Sequence, residues 1–236
     1  MKLTFRKGLS HGIPIALGYF SVSFGFGIMA VKSGITALNA IIISLTNLTS
    51  AGQAAGVEII AAGGAFLEMA ATQFVINLRY SLMGLSLSQK LDKSFTSFHR
   101  IIAAFGITDE IFAVASSQKE KLVPQYMYGL ISISALGWTS GTAAGAIAGN
   151  ILPATVTAAM GILLYGMFIA IIVPAARNSR KDLIVICFAA VFSMLFKYFL
   201  PGVSFGFAII LSSVTASVIG ALLFPIELAE TEGDTQ

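Results

Sequence analysis

Charge is what this chain of 236 residues most lacks: Asp, Glu, Lys and Arg together make up 11% of it, less than half of the roughly 25% usual in soluble domains. So few ions cannot cover a water-facing surface, and a mean hydropathy of +0.88 agrees. An ordinary soluble enzyme and a disordered chain are thereby excluded. Cysteine is scarcer still: Cys187 stands alone, which allows no internal disulfide and no Cys-based metal site. The two histidines, His11 and His99, lie far apart in the chain and support no metal triad. The signatures G-x-S-x-G, H-E-x-x-H and G-x-x-x-x-G-K-[ST] are absent, and Phe24-Gly25-Phe26-Gly27 lacks the third glycine of a dinucleotide loop. No cofactor is therefore expected. The 14 basic residues are scattered rather than clustered, which excludes nucleic acid as a partner.

What the chain has is apolar length. A bilayer core about 30 Å thick needs about 20 consecutive apolar residues as helix. Uncharged runs cover residues 8–31 (24 residues), 33–57 (25), 122–176 (55) and 198–226 (29). The longest holds two spans joined by a turn at Gly149-Asn150-Ile151-Leu152-Pro153. Further candidates are 66–87, 99–118 and 183–200, each interrupted by one to three charges. The fold class is thus an all-α polytopic membrane protein with about eight crossings, seven being the alternative. The first run is too long for a signal-peptide core and reads as an uncleaved helix. Residues 1–236 form one transmembrane domain, with a basic cytoplasmic N-terminus (1–11) and an acidic flexible tail (226–236). With eight spans, eight basic residues fall on the side of the termini and five on the other, which favours cytoplasmic termini.

Two stretches are too polar and too rich in small residues for plain lipid-facing helix: Thr46 to Gly56 and Trp138 to Gly145. Thr49-Ser50 is echoed by Thr139-Ser140, as in transporters built from repeated halves with interrupted helices at the substrate site. The alternative for the second stretch is close packing, since Gly141, Gly145 and Gly149 form one smooth helix face. Asn47 and Gln53, in the first, carry hydrogen-bonding groups suited to a substrate.

Ionisable residues within a span cost at least roughly 2.5–3.5 kcal/mol, so each needs a partner or a job. Glu58, Glu68, Arg79, Asp109, Glu110 and Lys197 fall in or near spans. On a helix Glu68, Thr72 and Arg79 share one face, and Gln73 and Asn77 share another. A helix with two polar stripes belongs at the centre of a bundle. Glu68 and Arg79 stand about 16 Å apart along the axis, too far to pair. Asp109 and Glu110 point about 100° apart and cannot both face one partner. A buried carboxylate there loads and unloads a proton; the alternative is a structural ion pair with Arg79. Lys197 snorkels to the interface.

The series Gly12-Ile13-Pro14-Ile15-Ala16-Leu17-Gly18-Tyr19, Phe24-Gly25-Phe26-Gly27, Gly52-Gln53, Asn77-Leu78-Arg79-Tyr80-Ser81-Leu82-Met83, Ser86-Leu87 and Thr108-Asp109-Glu110 is similar to the AzlC family, the large subunit of bacterial branched-chain amino acid exporters. The likeness runs through nearly the whole chain and is densest over residues 12–118. It implies export of hydrophobic amino acids across the cytoplasmic (inner) membrane, driven by protons, with a small AzlD-type membrane subunit as partner. Carried over by position, it points to Gln53, Asn77 and Arg79 for substrate binding and to Asp109 and Glu110 for proton coupling, and to these we add Asn47 and Tyr80 as substrate-binding and Glu68 as proton-coupling candidates. The substrate carboxylate would meet Arg79 or backbone N–H groups near residues 47–53, and its ammonium Asp109. Thr49-Ser50-Ala51 departs from the family pattern ahead of Gln53, which leaves substrate preference open. The competing classes are a non-transporting assembly or scaffold subunit and a small-solute channel.

Overall fold

In the computed structural model, residues 3–149, 153, 155, 166, 169, 172–174 and 176–225 are described. They form two compact units, Met1–Phe168 and Ile169–Gln236. The turn and span expected over 150–176 lie largely outside the described residues, as does the tail 226–236.

Among the described residues the first unit holds seven helices: α1 (Phe5–Lys32), α2 (Ala37–Thr46), α3 (Ser50–Ala61), α4 (Phe66–Ser88), α5 (Ser97–Phe105), α6 (Asp109–Ser116) and α7 (Pro124–Ala148). Threonine hydroxyls start α1, α2, α5 and α6: Thr4, Thr36, Thr96 and Thr108 each accept the N–H three residues on, satisfying an orphan donor of the first turn. Gly34 (φ 86°) and Gly63 (φ 67°) make the turns into α2 and α4, where a side chain would strain the backbone.

The seam of the unit is α1 against α7. Gly129, Gly137, Gly141 and Gly145 of α7 seat on the backbone of Phe5, Ala16, Phe20 and Phe24, while Gly8 and Gly27 of α1 seat on Tyr126 and Thr142. A Cβ at any of these would strike backbone. Residue numbers rise together along both helices, so they run parallel. The stretch 138–145 is therefore continuous helix used for packing, and Thr139-Ser140 marks no break.

Residues 33–57, expected as one crossing, fold instead as two half-length helices that reverse at residues 47–49. A continuous helix would separate Ile43 from Ile60 by about 25 Å, yet both line one hollow. Val57 packs with Phe26, Ala30, Ile35 and Ala40 at the end of α1. Residues 99–118 behave likewise. Helices α5 and α6 reverse at Gly106–Thr108, and α6 ends beside the start of the segment, where Lys90 Nζ donates to the carbonyls of Ser116 and Gln118. Asp92 N–H and Leu122 C=O (2.8 Å), and Leu122 N–H and Lys90 C=O (2.9 Å), tie the same two strands of chain together. In that connection the Asp92 carboxylate accepts from the Ser94 N–H, which holds it below the usual carboxylate range. Helix α4 leaves the α3 end and finishes beside the start of α7, antiparallel to α1. Helices α3 and α6 both touch α1 and α4, so the two reversals face each other across the middle of the unit.

The second unit contains α8 (Arg180–Phe199) and α9 (Phe205–Leu223), an antiparallel pair with Gly220 against Val185. Among the described residues, α1, α7, α8 and α9 are long and apolar enough to cross a membrane. At 23 residues α4 has the length but carries the charges Glu68 and Arg79.

Candidate functional site

Both reversals gather polar groups where short helices stop and start. At the first, Asn47 Oδ1 accepts from the Thr49 N–H (3.2 Å) and hydroxyl (2.9 Å). That bond holds the turn but leaves α3 without a side-chain cap, so its first N–H groups and its positive dipole end face the tip. Gln53, one turn into α3, is 1% exposed. Its Nε2 donates to Ser44 (3.1 Å) and its Oε1 accepts from Trp138 Nε1 (2.8 Å). Ser44 in turn meets Thr142 at 2.7 Å. Both ends of the Gln53 amide are thus engaged within the protein, tying α2 and α3 to α7.

From α4, Gln73 Nε2 donates to the Gly52 carbonyl (2.7 Å) and Asn77 Nδ2 donates to Gln73 Oε1 (3.1 Å). Asn77 Oδ1 is buried and has no donor. Between α2, α3 and α4 lies a cavity of about 270 Å³, lined on one side by Thr46, Asn47, Gln53 and Gln73 and on the other by Ile43, Val57, Ile60 and Met69.

At the second reversal, Thr108 caps α6 and two carboxylates occupy its first turn, where the helix dipole favours them. They diverge as their 100° spacing requires. Asp109 Oδ2 meets Arg79 Nη1 at 2.7 Å, the two side chains being 28% and 38% exposed. Arg79 also donates to the Tyr80 hydroxyl (3.3 Å) and lies over its ring. Glu110 faces the other way and takes the Tyr19 hydroxyl proton at 2.6 Å, while the Thr108 hydroxyl lies 2.6 Å from the same oxygen. Tyr19 packs edge-on against Trp138, with ring centroids 5.3 Å apart. A continuous set of contacts therefore runs from Glu110 through Tyr19 and Trp138 to Gln53.

Arg79, Tyr80, Asp109 and Glu110 thus gather at the second tip, and Asn47, Gln53 and Asn77 at the first. Arg79 and Asp109 pair with each other here. Glu68 stands apart: buried in the first turn of α4, its carboxylate lies beside Gly64, far along the helix from Arg79. Sequence reasoning missed Tyr19 as a hydrogen-bonding residue, and missed Trp138, Ser44 and Thr142. Their one signal is that a buried Tyr or Trp in an apolar helix requires a partner for its O–H or N–H.

Residues 14–152 match the family model described as AzlC protein. The chain is 29% identical over 186 residues to the inner membrane protein YgaZ of Escherichia coli (strain K12), covering 75% of this chain and 76% of that one. It is 32% identical over 176 residues to an uncharacterized membrane protein of Archaeoglobus fulgidus, covering 74% and 77%. Against the branched-chain amino acid transport protein AzlC of Bacillus subtilis (strain 168) it is 26% identical over 188 residues, covering 75% and 70%. No solved structure matches it. With more than half of its length matched by the family model and relatives aligned over most of theirs, this chain belongs to the AzlC family of membrane proteins.

Proposed function

We propose that this protein exports hydrophobic amino acids across the cytoplasmic membrane in exchange for protons, working with a small AzlD-type membrane subunit. The observation that carries the reading is the pair of facing half-length helix reversals, with an uncapped helix N-terminus at one tip and a partly exposed Arg79–Asp109 pair at the other. Broken helices whose N-termini aim at anionic groups are how transporters hold substrates at mid-membrane. The printed name of the Bacillus subtilis relative, a branched-chain amino acid transport protein, supports the substrate class.

Under this reading α1 and α4 each cross the membrane, and each is followed by a reversal that dips in and returns: an inverted pair of long helix plus half-helices. Charge supports the topology. Arg6, Lys7, Lys90, Lys93, Arg100, Lys119 and Lys121 then share the end where α1 begins, against Lys32 at the other. Seven to one is a stronger inside bias than eight simple crossings allow. The substrate carboxylate sits against the first N–H groups of α3, beside Asn47, and its ammonium meets Asn77 Oδ1. Gln53 positions α3, and Tyr80 steadies Arg79. A proton arriving at Asp109 from outside cancels its hold on Arg79 and loosens α6 from α4; Glu110 does the same toward Tyr19. Glu68 lies too far along α4 to share that site. In cells carrying the protein with its partner, resistance to a toxic branched-chain analogue and release of valine from a valine dipeptide are expected. A scaffold subunit gives neither, and a channel gives flux that does not saturate and ignores the proton gradient.

A further inference from the structure

The cavity between α2, α3 and α4 differs from its surroundings in having one polar side and apolar walls. Thr46, Asn47, Gly52, Gln53 and Gln73 make up its polar side, next to the uncapped start of α3, and Ile43, Val57, Ile60 and Met69 its apolar walls. A molecule with an anionic head and an apolar body fits that gradient, because the helix dipole favours the head and burial favours the body. Its volume of about 270 Å³ sits just under the range of small-ligand sites. A glycine, Gly56, lines it between Gln73 and Met69. A Cβ on Gly56 would lie 3.3 Å from Gln73 Nε2, 3.6 Å from Met69 Sδ and 3.8 Å from Met69 Cε, all of them ends of flexible side chains. Gly56 therefore tolerates a methyl group without displacing backbone, unlike the glycines of the α1–α7 seam.

We propose that this cavity receives the aliphatic side chain of the exported amino acid, with its carboxylate held at the start of α3, and that Gly56 and Met69 set the longest side chain admitted. The inference rests on the export reading above. It makes Gly56, the last residue of the polar stretch that begins at Thr46, a specificity-determining position. Replacing it with alanine puts one carbon into the pocket, and one methylene of fit is worth about 10–200-fold in discrimination.

The test uses the complex of this chain with its partner in liposomes, with efflux of alanine, valine and leucine measured in parallel. Gly56→Ala is expected to lower leucine efflux at least about tenfold relative to alanine. Adding Met69→Ala to it, which removes the facing side chain, restores leucine. A uniform change across the three substrates, or a double variant that leaves leucine depressed, overturns the pocket while leaving the export reading standing. Wild-type complex that moves none of the three overturns the export reading itself.

Discussion

The Arg79–Asp109 pair admits two roles, a tie between α4 and α6 or a proton-sensitive latch, and a double-mutant cycle separates them. Asp109→Asn keeps the shape but strands a guanidinium, and Arg79→Gln strands a carboxylate. Exposed pairs are worth about 0–1 kcal/mol, and breaking a buried one costs about 3–5 kcal/mol. At 38% and 28% exposure this pair falls between, so each single variant should lose about 1–2 kcal/mol, or about 2–8 °C in melting temperature for a chain of this size. In the double variant no charge is left uncompensated, and most of that loss should return as a positive coupling term. Melting of the purified complex in detergent reads the stability half of the cycle; proton-driven efflux reads the other. The double variant is expected to be stable and unresponsive to the proton gradient. Full proton-driven efflux from it would refute the latch, and single variants as stable as wild type would refute the energetics.

Three further outcomes follow from other contacts. Gln53→Leu leaves the Trp138 N–H without its partner, at about 1–3 kcal/mol, while Ser44 keeps Thr142, and should depress yield and melting temperature together. Gly145→Val, which drives a side chain into the backbone of Phe24, should abolish assembly of α1 with α7, seen as loss of folded protein in size-exclusion chromatography. Tyr19→Phe removes the hydroxyl between Thr108 and Glu110 but keeps the ring against Trp138. It should leave melting within about 1–2 kcal/mol of wild type while displacing the pH profile of efflux, and an unmoved profile would count against Glu110 as a proton carrier.

The long helices were legible because hydropathy sets their limits. The run 8–31 became α1 (Phe5–Lys32), and 66–87 became α4 (Phe66–Ser88). The reversals were not, because a pair of half-helices buried in a bundle has the same apolar composition as one crossing. Threonine spacing held the missing signal: Thr96 and Thr108 are both helix caps, and a second start so soon after the first means the first helix has ended. Asn47 and Thr49 were recognised as too polar for plain helix, yet polarity alone does not give the direction in which the chain leaves. Pairing of Arg79 with Asp109 was among the readings weighed, since an intramembrane cation needs an anion. Nothing in the spacing joins Tyr19 to Glu110, a contact between residues 91 positions apart.

The most direct test loads liposomes containing the purified complex with leucine and then makes the outside acidic. Wild-type complex should release leucine faster as the inward proton gradient grows, saturate with internal leucine, and acidify the lumen in step, whereas Asp109→Asn should show none of these responses. Equal responses from both proteins, or release by wild type that is linear in leucine and blind to the gradient, would contradict a substrate grip at the α3 tip governed by titratable groups at the facing tip.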